Sequence, residues 1–283
     1  MVERLETTLA TMHEMELFRG HFYNWYDTFD LHPLDPKYVS TVDSGNLAAH
    51  LLTLANACRE LMEKSTFESN VLAGMRDTAR LLSDALIGIP RTGRTQVVTR
   101  KQLSSAVDAI RTSLELAPAG AVDWAQRFVE WKALTQNVAD IAQTLTQERG
   151  DAADSELAAW ANALQVCTES HSRDAGILIP LAQMESKDVA GLTACLRNHS
   201  SDLKAIELLY SIPTLAGAPD RFDATLRELS ELRIHLISDA QGGSNAPTNR
   251  DTIICIETLI EVVKQSLTNA VALVRRLSTI IQT

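Results

Sequence analysis

The chain of 283 residues is poor in the features that usually announce a function. Aromatic residues make up only 5% of it. No charge-free run exceeds the fifteen residues from Ser44 to Cys58, and that run contains His50. Nothing therefore approaches the roughly 20 apolar residues of a membrane span, and no direct membrane insertion is expected. The opening MVERLETTLATMHEM mixes acidic, basic and apolar side chains and lacks the charged start and apolar block of a secretion signal, so the expected location is the cytoplasm. The four cysteines, Cys58, Cys167, Cys195 and Cys255, are far apart and form no CxxC or His/Cys cluster, which argues for separate buried thiols and no metal site. With 26 Lys and Arg against 36 Asp and Glu, the net charge is −10, and no basic run exceeds two residues. Electrostatics thus oppose nucleic acid and anionic lipid as partners, while a neutral ligand such as a sugar is indifferent to that charge. A glycine-rich phosphate loop, HExxH, GxSxG and βαβ alternation are all missing.

What remains is helical periodicity over a 45% hydrophobic composition, enough for a sizeable core. Val2, Leu5, Leu9 and Met12 recur at spacings of three and four, and Arg19-Gly20 carries the cation and glycine of a helix stop. After Pro33 and Pro36, Asp43 or Ser44 is placed to cap a second helix that turns Leu47, Leu51, Leu54, Cys58, Leu61 and Met62 inward. A third helix is expected from Thr66 to Ile87, followed by the turn-rich 88–94. Thr99 with Gln102 is a capping-box signature, and Leu103, Val107, Ile110 and Leu114 form one face behind it. A long helix over 122–148 carries Ala125, Phe128, Val129, Leu134, Val138, Ile141 and Leu145, with Trp124 and Trp131 two turns apart and expected to pack. Further helices are expected over 155–173, 177–184, 189–199, 203–210 and 222–240. A final helix over 250–283 has a wide apolar stripe that calls for a partner. Tyr38 to Val42 is the only run with strand character.

The fold class expected is all-α: antiparallel helical hairpins, with a partial (α/α)-barrel-like portion followed by a long-helix bundle. The organisation expected is an N-terminal part over 1–88 containing an aromatic loop at 18–46, a helical insert over 89–240, a flexible linker at 241–249, and the apolar-faced helix 250–283.

The aromatic loop stands apart from everything else. It holds Phe18, Phe22, Tyr23, Trp25, Tyr26, Phe29 and Tyr38, half of the chain's aromatic residues. A connector between helices is usually about 2–8 residues of turn-forming type, so this segment has another task. Flat aromatic faces cover the C–H side of a sugar ring, and carboxylates, amides and imidazoles bond its hydroxyls. His21, Asn24, Trp25, Tyr26, Asp27, Asp43 and Asn46 supply that combination and are the candidate ligand contacts. Phe18, Phe22 and Phe29 have no polar handle and are expected in the core. Asp27 and Asp43 could form a glycosidase pair; alternatively Asp27 braces the loop and Asp43 caps a helix.

Four linked blocks, Arg4-Leu5-Glu6 through Met12, RGHFYNWYDT at 19–28, PLDPKYVSTVDSGNLAAHL at 33–51 and LANACRE at 54–60, resemble a segment of bacterial cyclic β-1,2-glucan synthases. That resemblance implies the start of the middle, (α/α)6-type domain that cyclises the glucan, with β-1,2-glucan as ligand. Full-length family members are inner-membrane proteins that use UDP-glucose in a transferase part; the matched segment implies no cofactor of its own. The expectation is a piece of such an enzyme, with catalytic acid and nucleophile unassigned, inactive alone and associating with the remaining portions of a split synthase. Two alternatives stay open: a non-catalytic helical interaction module that docks through its last helix, and a small glycoside hydrolase using Asp27 and Asp43.

Overall fold

The computed structural model describes residues 2–65, 67, 69–88, 97–150, 156–184, 189, 203–241 and 246–282. Their elements are α1 (Val2–Glu14), β1 (Leu17–Phe18), β2 (His21–Phe22), α2 (Thr41–Glu63), α3 (Ser69–Ile87), α4 (Arg100–Glu115), α5 (Ala121–Arg149), α6 (Glu156–Leu178), a 3-10 turn (Pro180–Gln183), α7 (Leu203–Tyr210), α8 (Ala218–Gln241) and α9 (Ala246–Gln282). Predominantly α-helical architecture with helix packed on helix is thus what the chain adopts. Residues 190–199 of the helix expected over 189–199, most of the turn at 88–94, and 242–245 of the expected linker lie outside the described residues.

The chain divides into two compact units: Met1–Lys64 with Val271–Thr283, and Ser65–Ala270. In the second unit, α3, α4, α5 and α6 each contact their neighbours around a closed ring, an up-down four-helix arrangement. The antiparallel sense of α3, α4 and α5 follows from three side-chain ties. Arg76, early in α3, donates from Nε to the Leu114 carbonyl at the end of α4 at 3.0 Å, and Arg100, at the start of α4, reaches back to the Leu86 carbonyl. Ser113, late in α4, meets Trp131 and Arg127 of the first half of α5.

Local chemistry accounts for several boundaries. Thr99 caps α4 and forms the full capping box with Gln102, and the buried residues behind it are Leu103, Val107, Ile110 and Leu114. Full burial of such side chains stabilises by about 1.5–3 kcal/mol each. Gly150 ends α5 in the left-handed conformation at φ +70°, where a Cβ is disfavoured. Pro180 opens the 3-10 turn, where its missing N–H is not needed.

Trp124, Phe128 and Trp131 are buried on α5 and cluster with Phe67, with ring centroids 5.3–6.0 Å apart across the edge-to-face and stacked contacts. Trp131 donates its indole N–H to Ser113 Oγ at 3.0 Å. Of the apolar residues along α5, Val129 is exposed, while Thr135 and Ala142 are buried. A helix flanked by both α4 and α6 buries two faces, and its close approach to α6 favours small side chains there.

The apolar stripe of α9 is also largely covered. Ile256, Leu259, Val263, Ser266 and Ala270 are buried, and Gln183 donates to Ser266 Oγ at 3.0 Å. The partner that this stripe needs over its first two-thirds is therefore the chain itself. The expected helix at 177–184 is also revised. α6 continues to Leu178 and the 3-10 turn follows. Of the cysteines, Cys58 is buried, and Cys167 and Cys255 are half-buried.

The first unit is built differently. α1 buries no side chain, and α2 buries only Cys58. The inward face expected for α2 is largely open: Leu51 is exposed, Leu52 is 70% exposed, and Leu47, Leu54, Leu61 and Met62 are half-buried. Periodicity specifies a face but not the element that covers it. A cavity of about 460 Å³ is lined by Leu9 of α1, Ala48, Leu51, Leu52 and Ala55 of α2, and Ile280 and Ile281 of α9. Arg276 of α9 grips Glu6 of α1 through two hydrogen bonds of 2.8 and 2.5 Å.

Candidate functional site

Residues 15–40 form an ordered loop whose hydrogen bonds are mostly its own. Leu17 pairs with Phe22 and Phe18 with His21 in a two-residue hairpin. Arg19 and Gly20 have φ of +52° and +85°, the sign required at both centres of a type I′ turn. These two residues therefore do not stop the first helix, which ends at Glu14; they reverse a hairpin. Glycine serves both purposes, which is why the sequence pattern is ambiguous here.

Beyond the hairpin, Asn24 is the bracket. Its backbone N–H donates to the Tyr38 carbonyl at 2.9 Å. Its side-chain Oδ1 accepts from the Ser40 N–H at 2.9 Å, and its Nδ2 donates to Asp43 Oδ2 at 3.2 Å. Ser40 is the N-cap of α2, its Oγ accepting from the Asp43 N–H at 3.1 Å. The cap is thus neither Asp43 nor Ser44, and the strand-like Tyr38–Val42 splits into an irregular approach and the first helical turn. Asn24 takes the Ser40 amide and Ser40 Oγ takes the Asp43 amide, so the β-branched Thr41 and Val42 enter a helix whose cap is bonded on both sides.

The tip at 27–32 is held by aspartates. Asp27 Oδ1 accepts from the Phe29 N–H at 2.7 Å and Asp30 Oδ1 from the His32 N–H at 3.0 Å. Leu31 sits between these turns at φ +62°, a conformation disfavoured for a side chain of this kind, with its N–H donated to the Asp27 carbonyl at 3.0 Å.

The structure brings together some of the candidate contacts. Asn24 and Asp43 are bonded to each other. Tyr26 is half-buried, accepting from the Tyr23 N–H at 2.8 Å and donating to the Glu16 carbonyl at 2.7 Å. Trp25 is 56% exposed and stacks with Tyr38, itself 54% exposed, at a centroid distance of 6.3 Å and 29° between planes. Asp27 is exposed at the tip. His21 and Asn46 are exposed and make no side-chain hydrogen bond among the described residues. His21 lies at a cavity of about 490 Å³ with Gly20, Thr41, Ser44 and Gly45. Of the phenylalanines expected in the core, Phe29 is 96% exposed and Phe18 is also exposed, while Phe22 is half-buried against Tyr26. The hairpin and tip project these rings from a unit with few buried positions to receive them.

Three participants escaped sequence reasoning. Glu16 is the hub: besides its carbonyl bond to Tyr26, its carboxylate accepts from Lys37 Nζ at 2.8 Å, and from the Tyr23 hydroxyl. Lys37 lies 5.3 Å from the centroid of the Tyr23 ring, a cation–π contact. The Lys37 hydrogen bond holds the Glu16 carboxyl below its ordinary value, helped by the charges of Lys37 and His32, and Glu16 raises Lys37 in return. Tyr38 is the third. No sequence period links residues 16, 23, 37 and 38, so only the folded loop could assemble them. Among the described residues, no group of three or more His, Cys, Asp or Glu could hold a metal ion, and no helix is long and apolar enough to cross a membrane.

Fold and loop define a helical protein that presents a braced aromatic surface beside the start of a helix. The particular relationship comes from comparison. The chain is 33% identical over 174 residues, 61% of its length, to the cyclic beta-(1,2)-glucan synthase NdvB of Rhizobium meliloti (strain 1021). The chain spans 6% of the length of that protein. The chain is thus homologous, over a small part of that protein, to a cyclic β-1,2-glucan synthase. No protein-family model matches the chain.

Proposed function

We propose that the first unit contacts a β-1,2-linked glucan through the loop at 17–46, as part of a glucan-handling domain of the cyclic glucan synthase type, and that the chain alone performs no glucosyl transfer. In this reading α1 and α2 correspond to the opening of an (α/α)6-type domain, and His21, Asn24, Trp25, Tyr26, Asp27, Asp43 and Asn46 surround the ligand. The observation that carries the reading is the exposed Trp25–Tyr38 stack. Aromatic rings with more than half their surface in water, fixed by a hydrogen-bonded loop, suit the C–H face of a pyranose. Asp27 and Asp43 spend carboxylate oxygens on Phe29 and Asn24, which supports bracing over glycosidase catalysis by this pair.

Linear β-1,2-glucan added to the purified chain tests both halves. Shielding of the Trp25 indole resonance with the glucan recovered unchanged is expected. An unperturbed Trp25 defeats the contact, and any turnover defeats the absence of transfer; turnover that survives Asp27→Asn also defeats the glycosidase alternative.

One observation favours a second reading, an interaction module. The open face of α2, with Val42 and Leu52 each 70% exposed, is apolar surface of the kind that binds another protein surface. This relocates the docking surface from the covered part of α9 to α2. A sedimentation profile of a monomer that binds no hydrophobic dye would sink it.

A further inference from the structure

We propose that the ligand-facing surface of the loop is a two-ring platform made by Trp25 with Tyr38, and that the Glu16–Lys37 ion pair is the latch that aligns it. The inference rests on the glucan reading and adds Tyr38 as a contact residue and Glu16 and Lys37 as positioning residues.

The two rings come from opposite arms of the loop. Their relative placement depends on what ties those arms together. Two ties are backbone bonds: Asn24 N–H to the Tyr38 carbonyl at 2.9 Å and Leu34 N–H to the Trp25 carbonyl at 3.0 Å. They fix the chain but leave each ring free to rotate about its side-chain bonds. The third tie is the latch. Lys37, next in sequence to Tyr38, reaches Glu16 at 2.8 Å. Glu16 in turn holds the Tyr26 hydroxyl through its carbonyl, and Tyr26 is next in sequence to Trp25. Tyr23 fills the space beneath, its ring under Lys37 and 6.2 Å from that of Tyr26. Each ring of the platform therefore has a neighbour anchored on the same residue, Glu16.

This third tie differs from the others in kind. Both partners are part-exposed, with side-chain exposures of 46% for Glu16 and 41% for Lys37, so the pair is screened by salt. The charged and titratable groups acting on it are His32 and Tyr23 beside Glu16, and Asp35 and Tyr23 beside Lys37. A platform for a neutral polyhydroxylated ring has no charge of its own to respond to salt. Any salt dependence of its affinity then reports the latch.

The test uses the full chain, with the Trp25 indole resonance assigned by Trp25→Phe, and linear β-1,2-glucan as the probe at low and high salt. Glu16→Gln and Lys37→Met are expected to weaken binding about two- to five-fold, the size of an exposed ion pair, and to abolish the salt dependence seen in the wild type. Tyr38→Ala is expected to weaken binding about ten-fold, through loss of ring contact area. The exchanged pair Glu16→Lys with Lys37→Glu restores the wild-type value if the pair itself matters. Equal affinity and equal salt response in wild type and Glu16→Gln overturn the latch while leaving the glucan reading intact. If the wild type does not bind glucan, that reading falls. The ligand-free Trp25 resonance then still judges the latch: Glu16→Gln must match the wild type at high salt, and an indole indifferent to both salt and substitution overturns it.

Discussion

Replacing Asn24 probes the bracket on which the aromatic loop depends. Asn24→Ala removes the acceptor of the Ser40 N–H at 2.9 Å and the donor to Asp43 at 3.2 Å, and leaves the backbone bond to Tyr38 in place. Two such hydrogen bonds contribute about 0.5–1.5 kcal/mol each, so local stability should fall by about 1–3 kcal/mol. In amide hydrogen exchange this corresponds to roughly 5- to 150-fold faster exchange at Ser40 and at its capped partner Asp43. The helices of the second unit should exchange as before. Asn24→Asp separates the two bonds. It keeps the acceptor for Ser40 and sets a second carboxylate against Asp43, so its cost should be relieved in acid, whereas that of Asn24→Ala should not. Unchanged exchange at Ser40 in Asn24→Ala would refute the bracket.

In the second unit, Trp131→Ala should cost about 3–5 kcal/mol through the cavity it leaves, read from the urea midpoint. Ser113→Ala should cost about 1–3 kcal/mol, because the indole N–H of buried Trp131 loses its acceptor; no loss would mean that the bond contributes nothing. Thr99→Ala should cost about 1 kcal/mol by opening the capping box, and Thr99→Ser should recover most of it, both by thermal melting. The Glu16–Lys37 pair adds a pH dependence of definite sign. The Glu16 carboxyl is held below its ordinary value near 4.5, so its contribution is complete above that value and is lost as pH falls through the lower folded value. Titration from about pH 6 to about pH 2 should shift the Trp25 indole resonance in the wild type and shift it less in Lys37→Met.

The helices of the second unit were legible because their signals are local. Thr99, Gln102 and the face Leu103–Leu114 lie within a few turns, and the capping box and buried stripe form as the spacing requires. The packing of Trp124 and Trp131 was legible for the same reason. Which residues of α5 are buried was less legible, because two neighbours, rather than one, define its buried faces. In the loop, residue types pointed to Asn24, Trp25 and Tyr26, but their partners could not be read. Glu16 and Lys37 are two charged residues among many until the hairpin at Arg19-Gly20 folds one towards the other. Ser40 caps α2 with its own amide held by the Asn24 side chain, a residue sixteen positions away that no local pattern links to it.

By itself, the sequence determined that this protein is helical, that it buries an apolar core around α4 and α5, and that half of its aromatic residues fall in one segment. Each of these depends on contacts within a few turns or on composition, which the chain carries before it folds. Tertiary structure alone decided which faces are covered and which rings are exposed. The stripe of α9 is buried while that of α2 stays open, and Trp25 and Tyr38 are held side by side. Those outcomes depend on residues far apart in the chain, and periodicity says nothing about which surface a face will meet.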